Sequence, residues 1–159
     1  MEVTFLGHTV SAEGTRPREE RVAAINRLQQ PIFVKELRRF LGMLNFYRRF
    51  IPQAASIQAP LQAALAGPKV KESQPVDWTP TMIHTFEGCK ASLSRATLLA
   101  HPDPSATLAL FTDASDNAIG AALQQRVCDA WQPLAFYTCL AQPRSSKVQS
   151  LRPRAPGSA

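Results

Sequence analysis

Four stretches of the chain carry hydrophobic residues at the spacing of an α-helix, with polar residues between them. The clearest stretch covers about residues 34 to 48. A second stretch follows Pro17, and a third covers about residues 54 to 66. The fourth begins at Trp78-Thr79-Pro80, which is typical of an N-cap followed by the first helical position. The apolar stripe of the clearest helix consists of Leu37, Phe40, Leu41, Leu44 and Tyr47.

Alternating hydrophobic and polar residues predict strands on both sides of this helical region. Residues 1–15 are typical of a β-hairpin, with Ser11 and Gly14 at its turn. A second set of strands follows His101, and its short connections favour an antiparallel meander. The strands of this set are residues 106–113, about 118–125, and 133–138. The pattern predicts an α+β fold with a β-hairpin, a small helical bundle, a connecting helix and a three-stranded meander.

Composition excludes some classes of protein. The apolar content of 45% is ordinary for a globular protein. There is no signal-peptide pattern and no apolar run long enough to cross a bilayer, so we expect an intracellular chain. Cys89, Cys128 and Cys139 lack the spacing of a zinc site, and we expect reduced thiols.

The net charge of +6 has two sources. Residues 16–50 contain nine bases and three acids within a segment that is predicted to be helical. Residues 144–159 contain four bases and no acid. A basic helical segment suits a polyanionic partner such as nucleic acid, although a solvated helix face has the same composition.

Asp113 is the residue whose setting by itself predicts chemistry. It ends the apolar run that begins at Thr107, so we expect it at the tip of a buried strand. A carboxylate in that position suits a metal ion, but metal-dependent catalysis needs several carboxylates. Asp116 belongs to the same turn, where capping or solvation is the simpler role, and the only later acid is Asp129.

Three segments, taken in order, resemble one known family. They are Phe5-Leu-Gly-His8, the stretch from Val34 to Pro52 that contains Phe-Leu-Gly-Met-Leu-Asn-Phe-Tyr-Arg-Arg-Phe, and Phe111-Thr-Asp-Ala-Ser-Asp116. Together they are similar to the Pol polyprotein of Ty3/gypsy-type LTR retrotransposons, over roughly residues 2–138. The resemblance is extended by Trp78-Thr-Pro80 and Gln132-Pro-Leu-Ala-Phe-Tyr137.

The resemblance implies that the chain contains consecutive parts of a larger enzyme. Residues 1–15 would end the reverse transcriptase palm with a hairpin like the primer grip, and residues 16–66 would be the thumb helices. Residues 67–100 would be a linker and a connecting helix, followed by truncated RNase H-like strands at residues 101–138. Residues 139–159 would be a disordered, out-of-frame tail.

The resemblance also implies where the parent enzyme holds its template–primer duplex, either RNA–DNA or DNA. Leu6, Gly7 and His8 would hold the primer end, and Gly7 would let the backbone approach a sugar-phosphate chain closely. Residues spaced four apart form one stripe of the second helix. By the resemblance, this stripe corresponds to the track of the thumb helix that lies in the minor groove of the duplex. The residues of this stripe are Arg38, Gly42 and Phe46, and the candidate phosphate contacts are Arg39, Arg48 and Arg49.

Each of these assignments has a plainer alternative. The Leu6–Gly7 segment would equally suit an ordinary hairpin turn. Gly42 and Phe46 would equally suit packing against neighbouring helices, and the arginines would equally suit a solvated helix face.

In the parent enzyme, by the same resemblance, Asp113 would be the first of four RNase H carboxylates that hold two cations, Mg²⁺ or Mn²⁺. The other three positions have no counterpart in this sequence, and the family's paired polymerase aspartates lie upstream of the matched region. We therefore expect Asp113 to be a vestigial ligand, and we expect the chain to bind no metal ion and to have neither activity.

Three interpretations of function remain. The chain is a catalytically inactive fragment of a reverse transcriptase/RNase H, a remnant that binds duplex weakly and without sequence preference, or an unfolded pseudogene product. No feature of the sequence indicates a membrane or a small-molecule substrate, and the oligomeric state is open.

The tail departs from the family near Cys139, and a changed reading frame accounts for the departure. Codons for residues 147–158 exist whose next frame reads Lys-Tyr-Ser-Pro-Tyr-Asp-Arg-Glu-Leu-Leu-Ala, the family's sequence at this place, which carries its helix-borne glutamate. Leu140 is not compatible with the expected lysine, so the slip would lie near residues 138–141. Sequencing the genomic locus and the transcript tests this hypothesis, which fails if no single change of frame restores that peptide.

Overall fold

The computed structural model describes residues 1–66, 70–115 and 118–140. The first sheet consists of β1 (Val3–Phe5), β2 (His8–Val10) and β3 (Thr15–Pro17). The helices are α1 (Glu19–Asn26), α2 (Val34–Phe46), a 3₁₀ turn (Arg48–Phe50), α3 (Ala54–Ala64) and α4 (Pro80–Ser94). The second sheet consists of β4 (Thr107–Ala114), β5 (Ala118–Val127) and β6 (Ala130–Leu140). The predicted α+β class is confirmed. The tail predicted to be disordered was expected to begin at Cys139, but Cys139 and Leu140 pair with β5 as the end of β6, and residues 141–159 lie outside the described residues.

The first sheet has three antiparallel strands where the sequence predicts a hairpin. Leu6 and Gly7 form the turn between β1 and β2, with left-handed φ angles of +46° and +80°. The segment between Ser11 and Gly14 is therefore the second turn and leads into β3. Pro17, expected in the first turn of a helix, pairs with β2 instead, because an edge strand loses no ladder hydrogen bond at a proline.

Gly14 ties this sheet to the segment that precedes the second sheet. Its φ is +150°, and a Cβ atom at this position would lie 2.2 Å from the carbonyl oxygen of Leu99. Thr15 and Leu99 exchange backbone hydrogen bonds of 2.7 and 2.9 Å beside it. Only glycine permits this approach, since any side chain would collide with the Leu99 backbone.

The core lies between the four helices and is centred on α2. The whole predicted stripe of this helix is buried, and the Phe40 ring lies 4.5 Å from that of Phe86 in α4. Burial of each large side chain of this kind contributes roughly 1.5–3 kcal/mol to the free energy of unfolding. The buried side chains of the stripe are Leu37, Phe40, Leu41, Leu44 and Tyr47.

Helix α4 begins as the sequence predicts. The hydroxyl of Thr79 accepts a hydrogen bond from the backbone N–H of Met82 (3.2 Å), and Pro80 is the first helical residue. Ile83, expected on the inner face, is exposed. Helical geometry instead places Met82, Phe86, Cys89 and Leu93 on one buried face, so Met82 takes the inward position.

The second sheet is the predicted antiparallel meander and docks onto the helices through β6. The backbone N–H of Ala55 in α3 donates to the hydroxyl of Thr138 (3.3 Å), and Phe136 packs against the helical core. The prediction that Asp113 ends a buried strand is wrong, because most of β4, including Leu110 at 64% exposure, faces solvent. Within the described residues β4 is an edge of the sheet, and its one strand partner is β5.

Gln125 is a buried polar side chain that joins the sheet to the segment before it. Its amide nitrogen donates to the carbonyl oxygen of His101 (2.8 Å) and to the side-chain oxygen of Gln132 (3.1 Å). Its amide oxygen accepts from the backbone N–H of Asp103 (2.9 Å). These hydrogen bonds give partners to buried polar groups, which would lower the free energy of unfolding if they were buried without partners.

No helix within residues 1–66, 70–115 and 118–140 combines the length and apolar character required to cross a bilayer.

An aromatic cluster holds the first sheet against the end of α2. The imidazole of His8 stacks on Phe46, with ring centroids 5.2 Å apart and 6° between the planes, and meets the Tyr47 ring edge-on at 5.7 Å. The Tyr47 hydroxyl donates to the carbonyl oxygen of Gly7 (3.2 Å). Burial lowers the pKa of His8, as does the charge of Arg49, and the Nδ1 atom of His8 is buried without a hydrogen-bond partner among the described residues.

This environment of His8 predicts stability that depends on pH. Because the folded pKa lies below 6.5, the unfolded state binds more protons as the pH falls below this value, and the free energy of unfolding falls with it. The variant His8→Phe keeps an aromatic ring and removes the titration. Its urea-unfolding free energy, measured by circular dichroism between about pH 5.5 and 7.5, should vary less than that of the wild type.

His84→Gln is the matched control, because His84 lies on the exposed side of α4. This variant should keep the pH dependence of the wild type. An unchanged slope in His8→Phe would show that His8 is not the source of the effect.

Candidate nucleic-acid interface

The exposed face of α2 lies opposite its buried stripe and contains the three track residues predicted from the sequence. Arg38, Gly42 and Phe46 follow one another at a spacing of four and are all exposed. No atom lies within 4 Å of the place where a Cβ atom of Gly42 would stand. The alternative in which Gly42 packs against a neighbouring helix is therefore wrong for the described residues, and the glycine leaves an open notch between a guanidinium and an aromatic ring.

The tip of the β1–β2 hairpin continues this face beyond the end of α2. Gly7 lies against α2, because a Cβ atom there would be 3.2 Å from the Tyr47 hydroxyl and 3.4 Å from the Phe46 ring. Its left-handed φ and this close approach explain a glycine at the position without any ligand. The hairpin thus exposes Leu6, at 72%, directly before the Gly7 that approaches Phe46.

Phe46 is held in place although it is 54% exposed. One side of its ring stacks on His8, and Tyr47 meets it at a near-perpendicular angle of 87°. An aromatic ring fixed in this way loses little conformational entropy when another flat or apolar surface packs on it. The structure therefore brings His8, Phe46 and the hairpin tip together as one apolar end of the α2 face.

The three candidate phosphate contacts are exposed and basic. Arg39 lies on α2, beside the track residues, while Arg48 and Arg49 follow the helix in the 3₁₀ turn. Among the described residues none of the three forms an ion pair with a carboxylate, and the guanidinium of Arg49 lies 5.4 Å from the centre of the Phe50 ring. Their charges are thus available to an anionic partner.

Asp113 lies apart from this face, in an open groove of about 410 Å³ between the start of α3 and the second sheet. Gln53, Ser56, Ser115 and Thr138 share the groove with it. Within the described parts of the chain, no three histidine, cysteine, aspartate or glutamate side chains are placed to hold a metal ion. One carboxylate with amide and hydroxyl neighbours does not fit a two-cation centre, and Asp116 lies outside the described residues.

Two contacts of the interface have no counterpart among the sequence predictions. Tyr47 belongs to the buried stripe, yet its hydroxyl fixes the Gly7 carbonyl. Glu72, from the segment between α3 and α4, places a carboxylate oxygen 3.5 Å from a guanidinium nitrogen of Arg38. Helical periodicity indicates only that Tyr47 is apolar and inward, and no local pattern links a linker acid to a helix residue thirty-four positions earlier.

Comparison with known proteins gives related sequences over almost the whole chain. Residues 78–152 match the family model described as the RNase H-like domain found in reverse transcriptase. The Tf2-3, Tf2-4 and Tf2-5 transposon polyproteins of Schizosaccharomyces pombe are each 36% identical over 149 residues, or 93% of this chain. The chain spans about a tenth of the length of these relatives, since the match covers 10% of each.

Solved structures of the foamy viral protease-reverse transcriptase have the same fold over most of the chain. The complex with dsDNA has a TM-score of 0.76 at 26% identity and covers 89% of this chain and 29% of that one. The complex with an RNA/DNA hybrid has a TM-score of 0.74 at 26% identity and covers 89% of this chain and 19% of that one.

These findings agree with the three sequence motifs. The similarity spans both the helical region and the second sheet, whereas the family model begins at Trp78. The family typically uses divalent metal ions. The chain is homologous to the reverse transcriptase and RNase H-like region of Ty3/gypsy-type LTR retrotransposon polyproteins.

Proposed function

We propose that this chain binds the template–primer duplex of its parent polyprotein through the exposed face of α2, weakly and without sequence preference. The observation that carries the proposal is the open notch at Gly42, between an exposed Arg38 and the held ring of Phe46. Two foamy viral structures of this fold are complexes with dsDNA and with an RNA/DNA hybrid. Those partners support a duplex as the ligand.

The chemistry of the face suits the minor groove. Arg38 can donate hydrogen bonds, the bare backbone at Gly42 allows a groove edge to approach, and Phe46 offers an apolar surface for sugars. Arg39, Arg48 and Arg49 add positive charge for phosphates, which carries no sequence information. Affinity would therefore fall steeply as the salt concentration rises.

The division of the chain follows from the same proposal. Residues 1–15 would be the end of the palm, with the primer-grip-like tip at Leu6–His8, and residues 16–66 the thumb. Residues 67–100 would connect them to the RNase H-like strands at residues 101–138. The Tyr47–Gly7 bond and the His8–Phe46 stack would then hold the primer-grip tip against the thumb helix.

Replacing Gly42 separates binding from folding. Alanine at an exposed helix position should raise the free energy of unfolding by roughly 0.5–1 kcal/mol, since glycine is the poorer helix former and nothing obstructs a methyl group. The methyl group would fill the notch, so Gly42→Ala should weaken binding to a labelled RNA–DNA duplex about tenfold in fluorescence anisotropy, equivalent to about 1.4 kcal/mol.

Gly88→Ala in α4 is the matched control, because a Cβ atom there also meets nothing within 4 Å. It should stabilise the fold similarly and leave duplex affinity unchanged. Equal affinities of the wild type and Gly42→Ala would remove the support that Gly42 gives to the proposal.

We further propose that these 159 residues by themselves do not cleave RNA. Asp113 would be the first metal ligand of the parent's RNase H site, and the described residues supply no partner carboxylates for it. Purified chain incubated with an RNA–DNA hybrid and Mg²⁺ or Mn²⁺ should leave the RNA intact on a denaturing gel. Cleavage by the wild type that Asp113→Asn abolishes would refute this second proposal and leave the duplex-binding proposal standing.

A further inference from the structure

We propose that Glu72 sets the affinity of the α2 face by holding Arg38 in an ion pair that a phosphate must displace. This inference rests on the proposed duplex binding. The pair joins Arg38 Nη1 to Glu72 Oε1 at 3.5 Å, and the side chains are 42% and 65% exposed, so both can exchange partners with a ligand in solution.

The backbone of the segment from residue 70 to residue 76 fixes Glu72 beside α2. The N–H of Lys35 donates to the carbonyl oxygen of Glu72 (3.1 Å), and the N–H of Val34 donates to that of Gln74 (2.9 Å). The N–H of Val76 donates to the carbonyl oxygen of Ile32 (2.8 Å). Glu72 is therefore held at the start of the track by bonds that do not involve its carboxylate.

The carboxylate of Glu72 is not needed to cap the helix. Glu36 does this instead, since its Oε2 atom accepts the backbone N–H groups of Ile32 (2.8 Å) and Phe33 (3.2 Å), which lowers the pKa of Glu36. The segment's own carbonyl groups satisfy the next two N–H groups of α2. The substitution Glu72→Gln thus removes one negative charge and leaves the backbone contacts in place.

The pair opposes nucleic acid binding in two ways. Arg38 has to leave Glu72 before it can contact a phosphate or a groove edge, and the carboxylate that remains repels the incoming phosphates. An exposed ion pair has a small free energy, so the expected effect on affinity is about two- to fivefold. The effect should shrink as salt screens exposed charges.

The test compares the full chain with Glu72→Gln, using a short fluorescein-labelled RNA–DNA hybrid of mixed sequence in anisotropy titrations. At low salt Glu72→Gln should bind about two- to fivefold more tightly than the wild type, while its urea-unfolding midpoint falls only slightly. In an Arg38→Ala background the same substitution should give a smaller gain, because it then relieves only the repulsion between the carboxylate and the phosphates.

Glu87→Gln is the matched control, since Glu87 is 64% exposed and pairs with Lys90 at 3.3 Å, but lies on α4. Equal affinities of Glu72→Gln and Glu87→Gln, with Arg38→Ala still weakening binding, would overturn the role of Glu72 and leave the duplex proposal intact. A gain of the same size in the Arg38→Ala background would also overturn it. If the folded wild type binds no hybrid at low salt, the duplex-binding proposal and the proposed role of Glu72 are both wrong.

Discussion

The burial of one stripe of α2 is the constraint on which the rest of the structure depends. Phe40 and Leu44 have almost no exposed surface, and Phe40 packs on Phe86, so the helix cannot rotate without opening the core. A helix with a fixed inner face has a fixed outer face. Arg38, Gly42 and Phe46 therefore share the outward orientation that hydrophobic packing of the helix sets. The same packing places Tyr47 where its hydroxyl can reach the hairpin.

Most of the fold could be predicted from the sequence because its helices and strands have strong local signals. The α2 stripe and the cap of α4 at Thr79 are local patterns, and both are confirmed. The third strand of the first sheet could not be predicted, because Thr15–Pro17 is too short to show an alternation and contains a proline. The prediction that β4 is buried is wrong for a different reason. An apolar alternation indicates a strand, but whether its faces are covered depends on residues far away in the sequence.

The candidate interface likewise has local features that the sequence predicts and long-range contacts that it does not. The positions of Arg38, Gly42 and Phe46 on one face follow from helical geometry alone, and the structure has them there. The hydrogen bond from Tyr47 to Gly7 and the pairing of Glu72 with Arg38 join residues that are far apart in the chain. Such contacts depend on how the hairpin and the linker fold back on α2. No periodicity or local motif records them, so they could be found only from the coordinates.

The two candidate functions make different demands on a partial chain. Binding a duplex by charge and shape uses the outer face of one helix and a hairpin tip, and residues 1–66 contain all of these parts. Metal-dependent hydrolysis needs several carboxylates brought together from separate elements, and among the described residues no carboxylate other than Asp113 lines its groove. A segment of a polyprotein can therefore retain the first property while lacking the second. The exposure of β4 fits this division, because a strand that presents a ligand for a shared centre needs further elements beside it, whereas the α2 face needs only the core beneath it.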